Sequence, residues 1–227
     1  MGKYKVKIEQ NLEKLWTRCD EIDVEEAAPI VAKLKDVLFD RKEFVALAAP
    51  QIRKKKRIFG IKFANGDIRA FINPMITKTE GLHFSRENSP SIPDKEFIVP
   101  RYDRIIAIYQ TPTGAIEENI FEGAVAEVFQ QMVQLLDGIT LADLGLEIIP
   151  EWDEATDEEK TAVLNAYLEG LQTLGKQLDE EIKADETLSK TKGAIDFMTA
   201  VATGKVTLDT EQKVESDGEQ VESEPNA

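Results

Sequence analysis

The sequence predicts an α+β fold, with antiparallel strands through the first two thirds of the chain and helices kept apart from them. Three observations carry this. Asn65-Gly66 stands between two alternating apolar segments, RIFGIKF and DIRAFINP, and Asn-Gly is the pair that a tight hairpin turn favours. DRIIAIYQ and AIEENIF flank a second turn signal, Thr111-Pro112-Thr113-Gly114. Apolar residues recur at helical spacing outside these hairpins, over residues 24–43 and 123–136.

In chain order, residues 24–43 form the first predicted helix, with Val24, Ala27, Ala28, Val31, Leu34, Val37 and Leu38 on one face. Pro29 falls early in it, where a helix tolerates proline best. FVALAAPQI is a short apolar run ending at a proline and reads as a buried strand. The two hairpins follow, separated by residues 76–100, whose prolines and serines predict irregular chain. The second helix ends at Gly138.

Near Pro150 the composition shifts. EWDEATDEEK is acidic, which suits the positive end of a helix dipole. Leu164, Leu168, Leu171, Leu174, Leu178 and Ile182 then make one apolar stripe. A shorter helix is expected at about residues 194–201, and from Thr207 the chain is polar and acidic with little to bury. The expected organisation is a main domain over 1–150, a helical extension over 151–205 and a disordered acidic tail over 206–227.

The net charge of -15 repels a phosphate backbone and argues against nucleic acid as a partner. The single cysteine, Cys19, excludes an internal disulfide and points to a reducing, cytoplasmic setting. No apolar run nears the roughly 20 residues that span a bilayer, and the first residues lack the apolar core of a secretory leader. Membrane partners are therefore not expected.

Three ordered stretches resemble the peptide deformylase family. Phe44-Val45-Ala46-Leu47-Ala48-Ala49-Pro50-Gln51 is similar to its Gly-x-Gly-Leu-Ala-Ala-x-Gln. Glu87-Asn88-Ser89-Pro90-Ser91 is similar to Glu-Gly-Cys-Leu-Ser. Gln130-Gln131-Met132-Val133-Gln134-Leu135 is similar to Gln-His-Glu-x-Asp-His. Val99-Pro100-Arg101 also falls where the family has it. The resemblance implies antiparallel sheets around a central helix, with the leucine-striped extension added at the C-terminal side. It further implies removal of the formyl group from N-formylmethionine chains by a water on a divalent metal. One cysteine and two histidines would hold that metal, with a glutamate moving the proton.

Carried over by position, the metal ligands fall on Ser89, Gln131 and Leu135, and the proton-moving glutamate on Met132. Pro90 stands where a backbone N–H would meet the developing oxyanion, and proline has none. Gln51 and Glu87 are kept. Phe44 replaces a glycine and is expected to fill part of the substrate channel, and Glu96 replaces a substrate-facing arginine.

The resulting expectation is a deformylase-like protein without catalysis or cofactor, serving as a structural or protein-binding module of the kind a phage virion or assembly component would be. Two alternatives stand beside it. One is an active metal-dependent deformylase or hydrolase with unusual ligands. The other is a binder of N-terminal peptides, lined by Gln51 and residues 89–92 and joined by strand addition. His83 reads as an ordinary strand histidine rather than a base for Ser89, and Cys19 as a small packing residue. Two surfaces are candidates for protein partners, within an assembly or a homo-oligomer. They are the basic run Arg53, Lys54, Lys55, Lys56 and Arg57, otherwise a solvated tip, and the stripe of Leu164, Leu168, Leu171, Leu178 and Ile182.

Overall fold

The computed structural model describes the backbone of residues 6–184 and the side chains as far as residue 173. Helix α1, Val24–Asp40, buries Ala27, Ile30, Val31, Leu34, Val37 and Leu38 as one stripe. Glu25 and Glu26 occupy its first turn, where negative charge suits the dipole. Pro29 lies on the exposed face, so the carbonyl that lost its N–H partner meets water. The helix stops at Asp40 rather than continuing to residue 43, because Arg41 turns to extended backbone.

FVALAAPQI is a strand only in part. Strand β1 is Ala46–Ala48, and Ala49–Ile52 wind into a 3-10 turn. Pro50 has no N–H to give a ladder, and the Gln51 side chain takes the Ala48 N–H instead, at 2.9 Å. Strands β2, Ile58–Lys62, and β3, Ile68–Ser89, form the predicted hairpin, with Gly66 at φ 84° in its turn.

Residues 76–100, expected to be irregular, are regular strand. Strand β3 pairs with β4, Ile92–Gln110, from Ile72↔Gln110 to Ser89↔Ile92 across the turn at Pro90-Ser91. Register shifts at Ile72/Met75, Ile76/Lys78 and Asn88/Ser89 break the alternation that would announce such strands. Pro100 is tolerated in mid-strand because the second edge of β4 is unpaired there. Strand β5, Ile116–Glu122, joins that edge from Arg104 onward. The sheet runs β1-β2-β3-β4-β5.

Helix α2, Gly123–Leu136, packs on one face of this sheet, against Phe59, Ile61, Phe71 and Tyr102. Helix α1 packs on the other, against Ile58, Ala70 and Ile72. Phe129 of α2 meets the rings of Phe59, Phe71 and Phe121 at 4.9, 5.2 and 4.8 Å between centroids. Gly138 ends α2 at φ 84°, and a Cβ there would stand 3.0 Å from the backbone of Trp16 and Thr17. Only glycine fits this position.

Beyond α2 come α3, Leu141–Leu144, then β6, Leu146–Glu147, which pairs with β4 at Phe97 and Ile98. Helix α4, Pro150–Glu154, begins where the composition shifts, and α5 spans Asp157–Ala184. Thr156 caps α5 through a reciprocal pair with Glu159. Tyr167 ties α5 to the body by donating its hydroxyl to the Leu144 carbonyl, with its ring 6.3 Å from Phe84. Leu164, Leu168 and Leu171 are half-buried. The side chains of Leu174, Leu178 and Ile182, the helix expected at 194–201 and the tail over 206–227 lie outside what is described. Among the described residues no helix is long and apolar enough to cross a membrane.

Candidate active site

The three sequence stretches converge where the β3–β4 turn meets α2. Gln51 is wholly buried; its Oε1 accepts from Ala48 N and its Nε2 donates to Ser91 Oγ at 3.1 Å. The side-chain amide thus fastens the turn to the end of β1. Ser89 closes β3, and its Oγ accepts the Ser91 N–H at 3.3 Å. Pro90 between them offers no donor.

From α2, Gln131 reaches over the same turn and donates to the Asn88 carbonyl at 2.9 Å. Met132 and Leu135 point into the core with Phe129, as packing residues. Gln130 takes the unpaired edge of β4: its Oε1 accepts from Tyr102 N at 2.9 Å and its Nε2 donates to Tyr102 O at 2.8 Å. Under the turn lies a buried polar chain. Arg101 donates to both oxygens of Glu87, at 2.6 and 2.8 Å, and to Gln134 Oε1 at 2.8 Å.

Gln130, Gln134 and Arg101 are structural polar residues that stand in the sequence motifs only as flanking positions. Their signal was present: two glutamines four residues apart on an otherwise apolar helix face require buried partners.

A groove of about 1000 Å³ runs alongside, walled by Phe44, Val45 and Ala46 on one side and by Ser89, Glu127 and Gln131 on the other. Phe44 does not plug it. Its ring packs on the α1 side of the core beneath the Arg41 guanidinium, 5.5 Å away, and forms a wall. Glu96 is held by Arg86 at 2.9 Å.

His83 does not meet Ser89. Its Nε2 lies 2.8 Å from Glu127 Oε1, whose other oxygen accepts the Ser85 hydroxyl at 2.8 Å. Cys19 is buried, and desolvation pushes its thiol up to about 11. The basic run is divided. Arg57 is buried and paired with Asp137 at 2.5 Å, whereas Arg53, Lys55 and Lys56 lie outside with Glu9, Thr17 and Asp20 as partners. Lys54 is exposed.

The resemblance implies a divalent ion at Ser89, Gln131 and Leu135. The residues do not fit one. A hydroxyl, an amide already bonded to Asn88 and a leucine offer no thiolate, imidazole or carboxylate. Among the described residues no cluster of three or more His, Cys, Asp or Glu has metal-binding geometry.

A family model described as polypeptide deformylase matches residues 5–145. The peptide deformylase of Symbiobacterium thermophilum is 32% identical over 121 residues, covering 52% of this chain and 56% of that protein. That of Fusobacterium nucleatum is 40% identical over 96 residues, covering 42% and 55%. The crystal structure of peptide deformylase from Thermotoga maritima superposes with a TM-score of 0.57 at 25% identity, covering 63% of this chain and 98% of that one. The chain thus spans little more than half the length of these two sequence relatives. These findings correct the expectation of a chain without catalysis. The match runs through all three stretches of the site, the relatives carry an enzyme's name, and nothing found demonstrates a loss of activity. They favour the deformylase alternative, and they give no support to a phage origin, a virion role or a structural-protein role.

Proposed function

The chain belongs to the peptide deformylase family, and from that premise we propose that it acts on the N-terminal ends of polypeptides, releasing an N-formyl group by hydrolysis. Water adds across the formyl C–N bond, formate leaves and the α-amino group is freed. The observation that carries this reading is the family match over residues 5–145, which includes the groove and every segment around it.

The groove supports an extended peptide. Strand β1 is an edge of the sheet. Val45 receives the Lys62 N–H, and antiparallel alternation then turns the N–H and carbonyl of Ala46 outward, away from β2. A substrate backbone can add there as a further strand, with Val45, more than half exposed, as an apolar contact for its side chains. Gln51 and Gln131 hold the opposite wall in place through Ser91 and Asn88. The family's means of activating water does not transfer to Ser89, Gln131, Met132 and Leu135. A cytoplasmic setting belongs to the same reading. So does a protein partner for the half-buried leucines of α5.

The test is formate release from formyl-Met-Ala-Ser by the full chain, beside direct measurement of peptide binding. Saturable formate release above a protein-free control is the expected result. Binding of the peptide with no formate release would overturn the activity.

A further inference from the structure

We infer that the small cavity behind Ser89 is a site for one neutral hydrogen-bonding molecule, a water, and that its polarity rejects the divalent ion that the family places nearby. The cavity measures about 10 Å³ and is lined by Ser89, Ser91, Gln131, Gln134 and Thr140 among apolar neighbours. That is room for a single water.

Polarity follows from the buried chain beneath it. Arg101 donates to Gln134 Oε1 at 2.8 Å, which decides the orientation of that amide. The Nε2 end is left for the cavity, and it is buried without a protein partner. Gln134 as a whole is 8% exposed. A cation entering the cavity would meet amide hydrogens. An anion gains little, because Glu87 already neutralises Arg101 through two hydrogen bonds. The remaining groups are neutral. Ser91 Oγ accepts from Gln51 and Ser89 Oγ accepts from Ser91 N, so each hydroxyl still has a hydrogen to give. Water suits this set: it accepts from Gln134 Nε2 and from a serine hydroxyl, and completes an orphan whose desolvation would otherwise be uncompensated. An ion taken from water finds no opposite charge among the lining residues, and the Asp143 carboxylate behind Thr140 already accepts that residue's hydroxyl and N–H.

This inference concerns the polarity of the cavity and does not rest on the hydrolytic reading. Its test uses the full chain without added histidines, equilibrated with nickel and crystallised, with thermal unfolding measured in parallel. The expected results are an ordered water within hydrogen-bond distance of Gln134 Nε2, no anomalous peak at Ser89 or Gln131, and an unchanged melting temperature. Bound nickel, or a dry cavity, overturns the inference. Gln134→Met, which keeps the length and removes the amide, should lose the water and still fold; a retained water in that variant would also overturn it. Formate release measured on the same samples bears on the proposed activity alone, so the two can fail separately.

Discussion

Arg101 and Glu87 face each other through two hydrogen bonds of 2.6 and 2.8 Å, with the guanidinium wholly buried. The pair ties β4 to β3 just below the turn that carries Ser89. Removing one member leaves an unmatched buried charge. Glu87→Ala should therefore cost about 3–5 kcal/mol in urea unfolding. Glu96→Ala, which breaks the half-exposed pair with Arg86, should cost at most about 1 kcal/mol. Equal losses in the two variants would show that burial does not govern these pairs.

The basic run should separate by residue in the same assay. Arg57→Met leaves the nearly buried Asp137 carboxylate with the longer pair to half-exposed Arg18, at 3.7 Å, and should cost about 3 kcal/mol. Lys54→Ala should change stability by no more than about 0.5 kcal/mol. A large loss at Lys54 would restore the run as a single unit.

Cys19 should resist alkylation in the folded chain at pH 8. Burial raises its thiol from 9.0 to about 11 and closes access. The sign for stability follows. In the window between those values the folded thiol keeps a proton that the unfolded one loses, so its contribution falls as pH rises through it. Burial likewise raises the phenols of Tyr109 and Tyr167 to about 12, which extends the alkaline loss. Thermal unfolding between pH 8 and 11 should show a steadily falling midpoint, and Cys19→Ala should flatten the lower part of that slope.

Gly138→Ala should destabilise the chain by more than about 1 kcal/mol, the cost of left-handed backbone alone. The new Cβ would also press on Trp16 and Thr17 at 3.0 Å. Gly114→Ala, also at positive φ but with nothing near its Cβ, supplies the comparison in which the clash is missing. A smaller loss at Gly138 than at Gly114 would dismiss the contact.

Local chemistry made the hairpins, the two packed helices and the glycine end of α2 legible in the sequence. Asn65-Gly66, the stripe of α1 and Gly138 each act over a few residues. The long β3–β4 ribbon was hidden because bulges at residues 72–78 and 88–89 shift the alternation that a strand reading relies on. The short life of β1 was hidden too, since Gln51 competes for the Ala48 N–H through a side chain. At the site, Ser89, Pro90, Gln131, Met132 and Leu135 can each be placed against the sequence stretches one by one, whereas Phe44 forms a wall of the groove and does not fill it. What composition could not show is their joint arrangement. Arg101 selects an oxygen of Gln134 only after β4 and α2 are packed together.

The β3–β4 turn bears also on the order in which the chain assembles. Ser89↔Ile92 is the shortest-range pair of a ladder that continues to Ile72↔Gln110, and closing so small a loop costs little chain entropy. A zipper that starts there can lengthen without waiting for distant segments. Helix α2 follows later in the chain, and in this order it would dock on a ribbon already formed, with Gln130 filling the gap at Tyr102. In a pulse-labelled hydrogen-exchange experiment, the amides flanking Pro90 and Ser91 should gain protection before those of β1 and β5. The part of the molecule that meets substrate in the proposed reaction would then also be the part that nucleates the fold, and substitutions there would alter refolding rate along with activity.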